Sequence, residues 1–289
     1  MKRIILILLI ILIWLCTFIG CSTVYLKQPF KDFSDSTKKI GKNTSYCFEQ
    51  LFAEEINTRI AESLKKETID PSLLEPNVLT WTQLELRKEF INYLVNYTDL
   101  LESIIIKDYT KDISKNAQQV KKNIEYISLN YNGLLNKGVS NLTFSIYSAL
   151  AETLTASARR AFILKIMNQH QPILEIIIEK LKQELETTQL LINNFFDRQF
   201  LYMVCFRWPA KESSREKYAK IGAKILKRKR EINSMLKEVI QAVELIPPTH
   251  QQLIKLVKDN KGPGQTLYQL INAGARLAKM LEEFSNEKK

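Results

Sequence analysis

Residues 213–250 read SSREKYAKIGAKILKRKREINSMLKEVIQAVELIPPTH. Ser213 and Glu216 have the spacing of a capping box, in which each satisfies a backbone amide of a helix's first turn. Tyr218, Gly222, Ile225, Lys229, Ile232, Leu236, Val239, Val243 and Ile246 then recur at alternating intervals of four and three. That period puts them on one face of a helix and requires a neighbouring helix to cover it. Pro247 and Pro248 end the run, because proline lacks the amide that would continue the ladder and clashes with the preceding turn. A helix of this length with one apolar face is a bundle element.

The same period extends outward in both directions. Phe30, Phe33, Ile40, Cys47, Leu51, Ile56, Ile60 and Leu64 predict a first helix over about 30–67, loosened near Gly41 to Thr44 and stopped by Pro71 and Pro76. Thr80 and Thr82 offer caps, and Thr82 with Glu85 forms a second capping box. Leu84 through Tyr109 to Ile127 predicts one helix of almost fifty residues, about 70 Å at 1.5 Å per residue. Asn132-Gly133 and Gly138 mark a turn. A third helix over about 140–168 is rich in Ser and Ala, and Pro172 is expected to kink or restart it. The fourth carries Ile173, Ile177, Leu181, Leu185, Leu191 and an aromatic group, Phe195, Phe196, Phe200, Tyr202, Phe206 and Trp208, read mostly as core. A short helix over 250–259, the turn Asn260-Lys261-Gly262-Pro263-Gly264 and a last helix over 267–284 complete the chain.

Only 8 Gly and 8 Pro occur in 289 residues, and no stretch alternates with the period of two that strands require. The expected fold is therefore all-α: an elongated antiparallel helical bundle with long coiled-coil-like helices and a small C-terminal helical hairpin. The expected organisation is a signal segment over 1–20, a tether over 21–29, a long-helix bundle over 30–246 and a hairpin over 247–289 packed on it.

The N-terminus supplies the location. Lys2 and Arg3 precede an almost unbroken apolar run from Ile4 to Ile19, followed by Gly20, Cys21 and Ser22. The segment Phe18-Ile19-Gly20-Cys21 resembles the lipobox of bacterial lipoprotein signal peptides. Phe18 and Ile19 stand where that pattern favours an aliphatic and a small residue. The resemblance implies cleavage before Cys21, acylation of Cys21 with a fatty acid such as palmitate, and a mature chain held to a membrane in the cell envelope. Ser22, rather than Asp, implies the periplasmic side of the outer membrane in an organism with two membranes. The alternative is an uncleaved transmembrane anchor, since the run is slightly short of the roughly 20 residues that span a bilayer. No later apolar run approaches that length.

The formal charge is +11, and it is concentrated. Lys211, Arg215, Lys217, Lys220, Lys224, Lys227, Arg228, Lys229 and Arg230 face only Glu212 and Glu216 within twenty residues, a net +7. This stretch is the candidate contact with an anionic envelope surface or another envelope protein. The bland reading is a solvated face met by acids elsewhere in the fold, with Glu179, Glu184 and Glu186 as neighbours. Aromatic interleaving and nucleic-acid-binding motifs are missing, so nucleic acid is not an expected partner.

The remaining candidates carry less chemistry. Cys47 and Cys205 remain after the signal segment and Cys21, and they allow one disulfide in an oxidising compartment; two buried thiols are the alternative. His170 and His250 lie eighty residues apart near prolines and read as polar residues at helix ends. No GxSxG, HExxH, Walker or dinucleotide-binding motif occurs, so no catalytic residue, metal or cofactor is expected. The expected function is that of a membrane-anchored lipoprotein acting as a non-enzymatic scaffold, adaptor or binding subunit. The alternative is a helical-bundle membrane-active effector or toxin-like protein, which an exposed apolar hairpin around 140–168 would favour.

Overall fold

The computed structural model describes residues 24–63, 81–106, 110–131, 156–205, 212–259 and 262–286. The described residues form an all-α helical bundle with no strand. The helices are α1 Val24–Ser63, α2 Trp81–Ile106, α3 Thr110–Asn130, α4 Ala156–Phe200, α5 Glu212–Glu244, α6 Ile246–Asp259 and α7 Gln265–Asn286, with one π-helical turn at Leu201–Cys205.

Contacts divide the chain into two compact units. The first comprises residues 1–37, 93–175 and 247–271. Its core joins Phe30 and Phe33 of α1, Leu94 and Leu101 of α2, Val120 and Ile124 of α3, Ile163 and Met167 of α4, and Leu253 and Val257 of α6. Asn96 bonds Asn123 at 2.8 Å and Asn116 bonds Ser103 at 2.9 Å, so α2 and α3 run antiparallel as a helical hairpin. This corrects the single fifty-residue helix expected there. Each arm buries its own three-four face, and no Gly or Pro separates Ile106 from Thr110, so the apolar period continues through a reversal of direction. Tyr109 lies outside the described residues.

The second unit comprises residues 38–92, 176–246 and 272–289. Asn193–Asn233 and Asp197–Lys229 contacts fix α4 and α5 antiparallel at constant register. Lys182–Glu244, at 2.5 Å, lies on the same register further along. Ile232, Leu236, Val239, Val243 and Ile246 are all buried, as the heptad requires. Gly222 occupies a heptad position because Phe200 and Val204 approach it; an added Cβ would stand 3.0 Å from the Phe200 ring. Phe195 and Phe196 are core, and Phe200 is half-buried. Phe206 and Trp208 lie outside the described residues.

Other boundaries also shift. Helix α1 begins at Val24, with Leu26 buried, so the stretch read as a tether over 21–29 is helical from Val24 onward. Its Pro29 lies inside the helix, in the second turn, where its ring takes one amide out of the ladder. Pro172 lies inside α4, which runs through it for 45 residues instead of restarting there. The small-residue stretch over 140–155 lies outside the described residues. Between α6 and α7, Gly264 takes a φ of 26°, a conformation that glycine adopts with least strain. Gln252 packs against it and accepts from the Thr266 hydroxyl at 2.6 Å and the Thr266 amide at 3.3 Å, capping α7.

Candidate functional site

The first unit buries the two histidines that the sequence placed at helix ends. His170 lies within α4 and His250 in the first turns of α6, and both are almost wholly shielded. Tyr93 and Tyr97, one turn apart on α2, reach them: Tyr93 Oη lies 3.0 Å from His170 Nδ1 and Tyr97 Oη lies 2.7 Å from His250 Nε2. The His170 ring stacks on Tyr97 with centroids 4.6 Å apart, and Phe33 of α1 lies against His250. Four helices of this unit therefore meet at one polar cluster.

Chemistry assigns the protons at His250. Gln171 Nε2 donates to the Glu175 carboxylate at 2.6 Å, and it also points to the Pro247 carbonyl at 3.5 Å. Both are acceptors, so Gln171 Oε1 must be the oxygen that faces His250 Nδ1 at 2.5 Å. Nδ1–H then donates to Gln171, and Nε2 accepts from Tyr97. A continuous chain runs from buried Tyr97 through His250 and Gln171 to exposed Glu175, at a groove of about 720 Å³ that Asn168, Lys255 and Lys258 also line. Burial pushes both imidazoles down to about 3, His250 also through the neighbouring His170. Both rings are thus held neutral, and the cluster cross-links α2, α4 and α6 through hydrogen bonds rather than charge.

The second unit holds the basic stretch and separates its cations into two groups. Arg228 turns inward, donating to Gln50 and, at 3.4 Å, to Tyr46, with Glu54 at 3.8 Å. Glu54 is buried and also accepts from Gln199 at 3.0 Å, while Thr58 donates to the Phe195 carbonyl at 3.2 Å. Lys229 pairs with Asp197 at 2.6 Å. The acids that meet the basic stretch from outside α5 are therefore buried Glu54 and exposed Asp197. Glu184, expected as a neighbour, instead holds Arg87 at 2.6 Å and Lys180 at 3.4 Å.

Arg215, Lys217, Lys220, Lys224, Lys227 and Arg230 are exposed. Lys220 meets Glu216 at 2.6 Å and Lys227 meets Glu231 at 3.5 Å, both on α5 itself. Lys211 and Cys21 lie outside the described residues. Cys47 and Cys205 are free thiols, the first buried and the second exposed on the π turn, so the sequence's disulfide is not made here. Burial pushes the Cys47 thiol up.

The histidine cluster and the inward role of Arg228 escaped the sequence reading. The available signals were Tyr93 and Tyr97 at i, i+4 on one helix face, and the helical phase of Arg228 beside heptad position Lys229. Among the described residues, no group of three or more His, Cys, Asp or Glu is placed to hold a metal ion. Nor is any described helix long and apolar enough to cross a membrane. No protein-family model, no curated protein and no solved structure matches the chain, so its reading rests on this geometry and on the sequence.

Proposed function

We propose that the chain is a membrane-anchored lipoprotein of the cell envelope whose helical body acts as a non-enzymatic scaffold, adaptor or binding subunit. One observation carries the reading: Lys2-Arg3, the apolar run Ile4 to Ile19 and Gly20-Cys21 are followed after only Ser22 and Thr23 by α1, which starts at Val24. A lipid on Cys21 would thus hold a packed helical body, without a long flexible arm, next to the bilayer. In organisms with two membranes, the resemblance of Ser22 to the outer-membrane release signal supports the periplasmic side of the outer membrane for that body. The body suits a binding role because its polar groups are spent on cross-linking helices, as at Tyr97–His250 and Glu54–Arg228, while its unspent charge lies outside on α5.

Metabolic labelling with a fatty-acid probe tests the anchor. Wild type is expected to label and Cys21→Ala is not; equal labelling of both overturns the proposal. Retention in the membrane without label would mark an uncleaved apolar anchor instead. Crosslinking of the full chain in intact envelopes tests the adaptor role, and crosslinks to lipid alone count against it.

A further inference from the structure

The exposed side of α5 is not uniformly solvated charge. Between Arg215 and Arg230 six exposed cations face one exposed carboxylate, Glu216. Among the described residues, Lys217, Lys224 and Arg230 meet no carboxylate within ion-pair distance. Leu226 lies among these cations and is 40% exposed. The Asp197–Lys229 pair fixes the register of α4 against α5. Leu226 is one turn before Lys229, and Leu201 is one turn past Asp197 and 42% exposed. In that antiparallel register Leu201 stands level with Ile225, the residue just before Leu226 on α5. Two open leucines sit at the edge of a cationic helix face, with Arg198 of α4 also largely exposed.

We propose that this surface, the outer face of α5 from Arg215 to Arg230 with Leu201 and Leu226, docks on the anionic phospholipid headgroups of a bilayer. The inference rests on the reading that the chain is tethered to a membrane, and it supplies a second contact. Cations that meet phosphates beside apolar side chains that enter the headgroup boundary are the two components of interfacial binding. The cations follow the helix axis over four turns without forming a pocket, which suits a planar array of headgroups. An acidic protein would instead need fixed carboxylates matched to each cation. Each Lys or Arg near an anionic surface strengthens binding about fivefold, and salt screens this within a Debye length of about 8–10 Å.

The test uses the full chain with vesicles of phosphatidylcholine alone or with added phosphatidylglycerol. Flotation reports membrane association. A brief pulse of an acetylating reagent, read by mass spectrometry, reports contact at individual lysines. Lys217, Lys220 and Lys224 are expected to label at least fivefold more slowly on the anionic vesicles. Lys279, 79% exposed on α7, is the reference and keeps its rate. High salt is expected to remove the difference. Lys217→Gln/Lys224→Gln/Arg230→Gln is expected to weaken docking on the order of a hundredfold. Leu201→Ser/Leu226→Ser, at two exposed positions, is expected to weaken it roughly tenfold.

Equal lysine rates on both vesicle types overturn the proposal, including the case in which an acidic protein is the true occupant. Protection that persists unchanged in the serine variant overturns the place of the leucines in the surface. Flotation on neutral vesicles without lysine protection leaves the anchor standing and the docking refuted. Flotation on anionic vesicles alone, with protection, does the reverse.

Discussion

Acid should destabilise the first unit through its two histidines, and the size of the effect follows from their burial. An exposed imidazole titrates near 6.5, whereas His170 and His250 are pushed down to about 3 in the fold. A folded-state value below the unfolded one means that the unfolded chain binds more protons. The stability these neutral rings contribute is complete above about 6.5 and is lost as pH falls toward 3. At pH 4.5 the unfolded chain carries nearly two extra protons. Two pH units below the unfolded value, at about 1.4 kcal/mol each, cost about 3 kcal/mol per histidine and roughly 5 kcal/mol for both. That is a large share of the 5–15 kcal/mol that keeps an ordinary domain folded. Urea unfolding at pH 7.5 and 4.5 measures the loss, and His170→Gln/His250→Gln, which retains acceptors for both tyrosines, removes the histidine part. If wild type and variant lose equal stability on acidification, the reasoning fails. A second readout does not depend on the variant folding. The chain has 2 histidines in all, so their ring resonances identify the cluster directly. They should hold the neutral position down to pH 5, and titration near 6.5 would refute their burial.

Three further outcomes are expected. Leu236→Asp places a charge at a fully buried heptad position and should cost several kcal/mol, whereas Lys217→Gln/Lys224→Gln/Arg230→Gln should melt within about 1 kcal/mol of wild type; similar losses in both would mean that the faces of α5 are misassigned. Arg228→Gln should cost about 1–3 kcal/mol in urea unfolding, because it removes the cation beside the buried Glu54 carboxylate and the donor to Gln50, and a neutral result would place Arg228 in solvent. Cys205 should react rapidly with a thiol reagent while Cys47 reacts only on unfolding, and two fast thiols would contradict the packing of Cys47.

Much of the bundle was legible because burial leaves a period in the chain. Leu236 and Val243 are core in α5 for the reason that their spacing implies. Lys229, at a core position of that heptad, is resolved by Asp197 across the register, a partner no local pattern could name. Arg228 and Arg230 are equivalent in composition, yet two residues rotate a helix by about 200°. That rotation turns one toward Glu54 and leaves the other exposed. The reversal between Ile106 and Thr110 was invisible because two amphipathic helices can share one apparent period when neither Gly nor Pro separates them. The histidine cluster was invisible for a different reason. Its members come from four segments of sequence, and the tyrosine that each ring meets is specified only by tertiary packing.

The long helices make those polar clusters necessary for specificity. A seam of Leu, Ile and Val is nearly indifferent to a shift of one heptad, because the shifted helix buries similar surface. Shifting α5 against α4 would separate Asn193 from Asn233 and Lys229 from Asp197, and would drive a residue larger than Gly222 against Phe200. Shifting α6 against α4 would take both nitrogens of His250 away from Tyr97 and Gln171 within a shielded interior. Each stranded group costs about 1–3 kcal/mol, whereas a satisfied one contributes little net stability. The penalty thus falls on the alternatives rather than adding to the native state. Polar residues inside this bundle are best read as devices that select one register, and the charge available for an encounter is what α5 presents outside them.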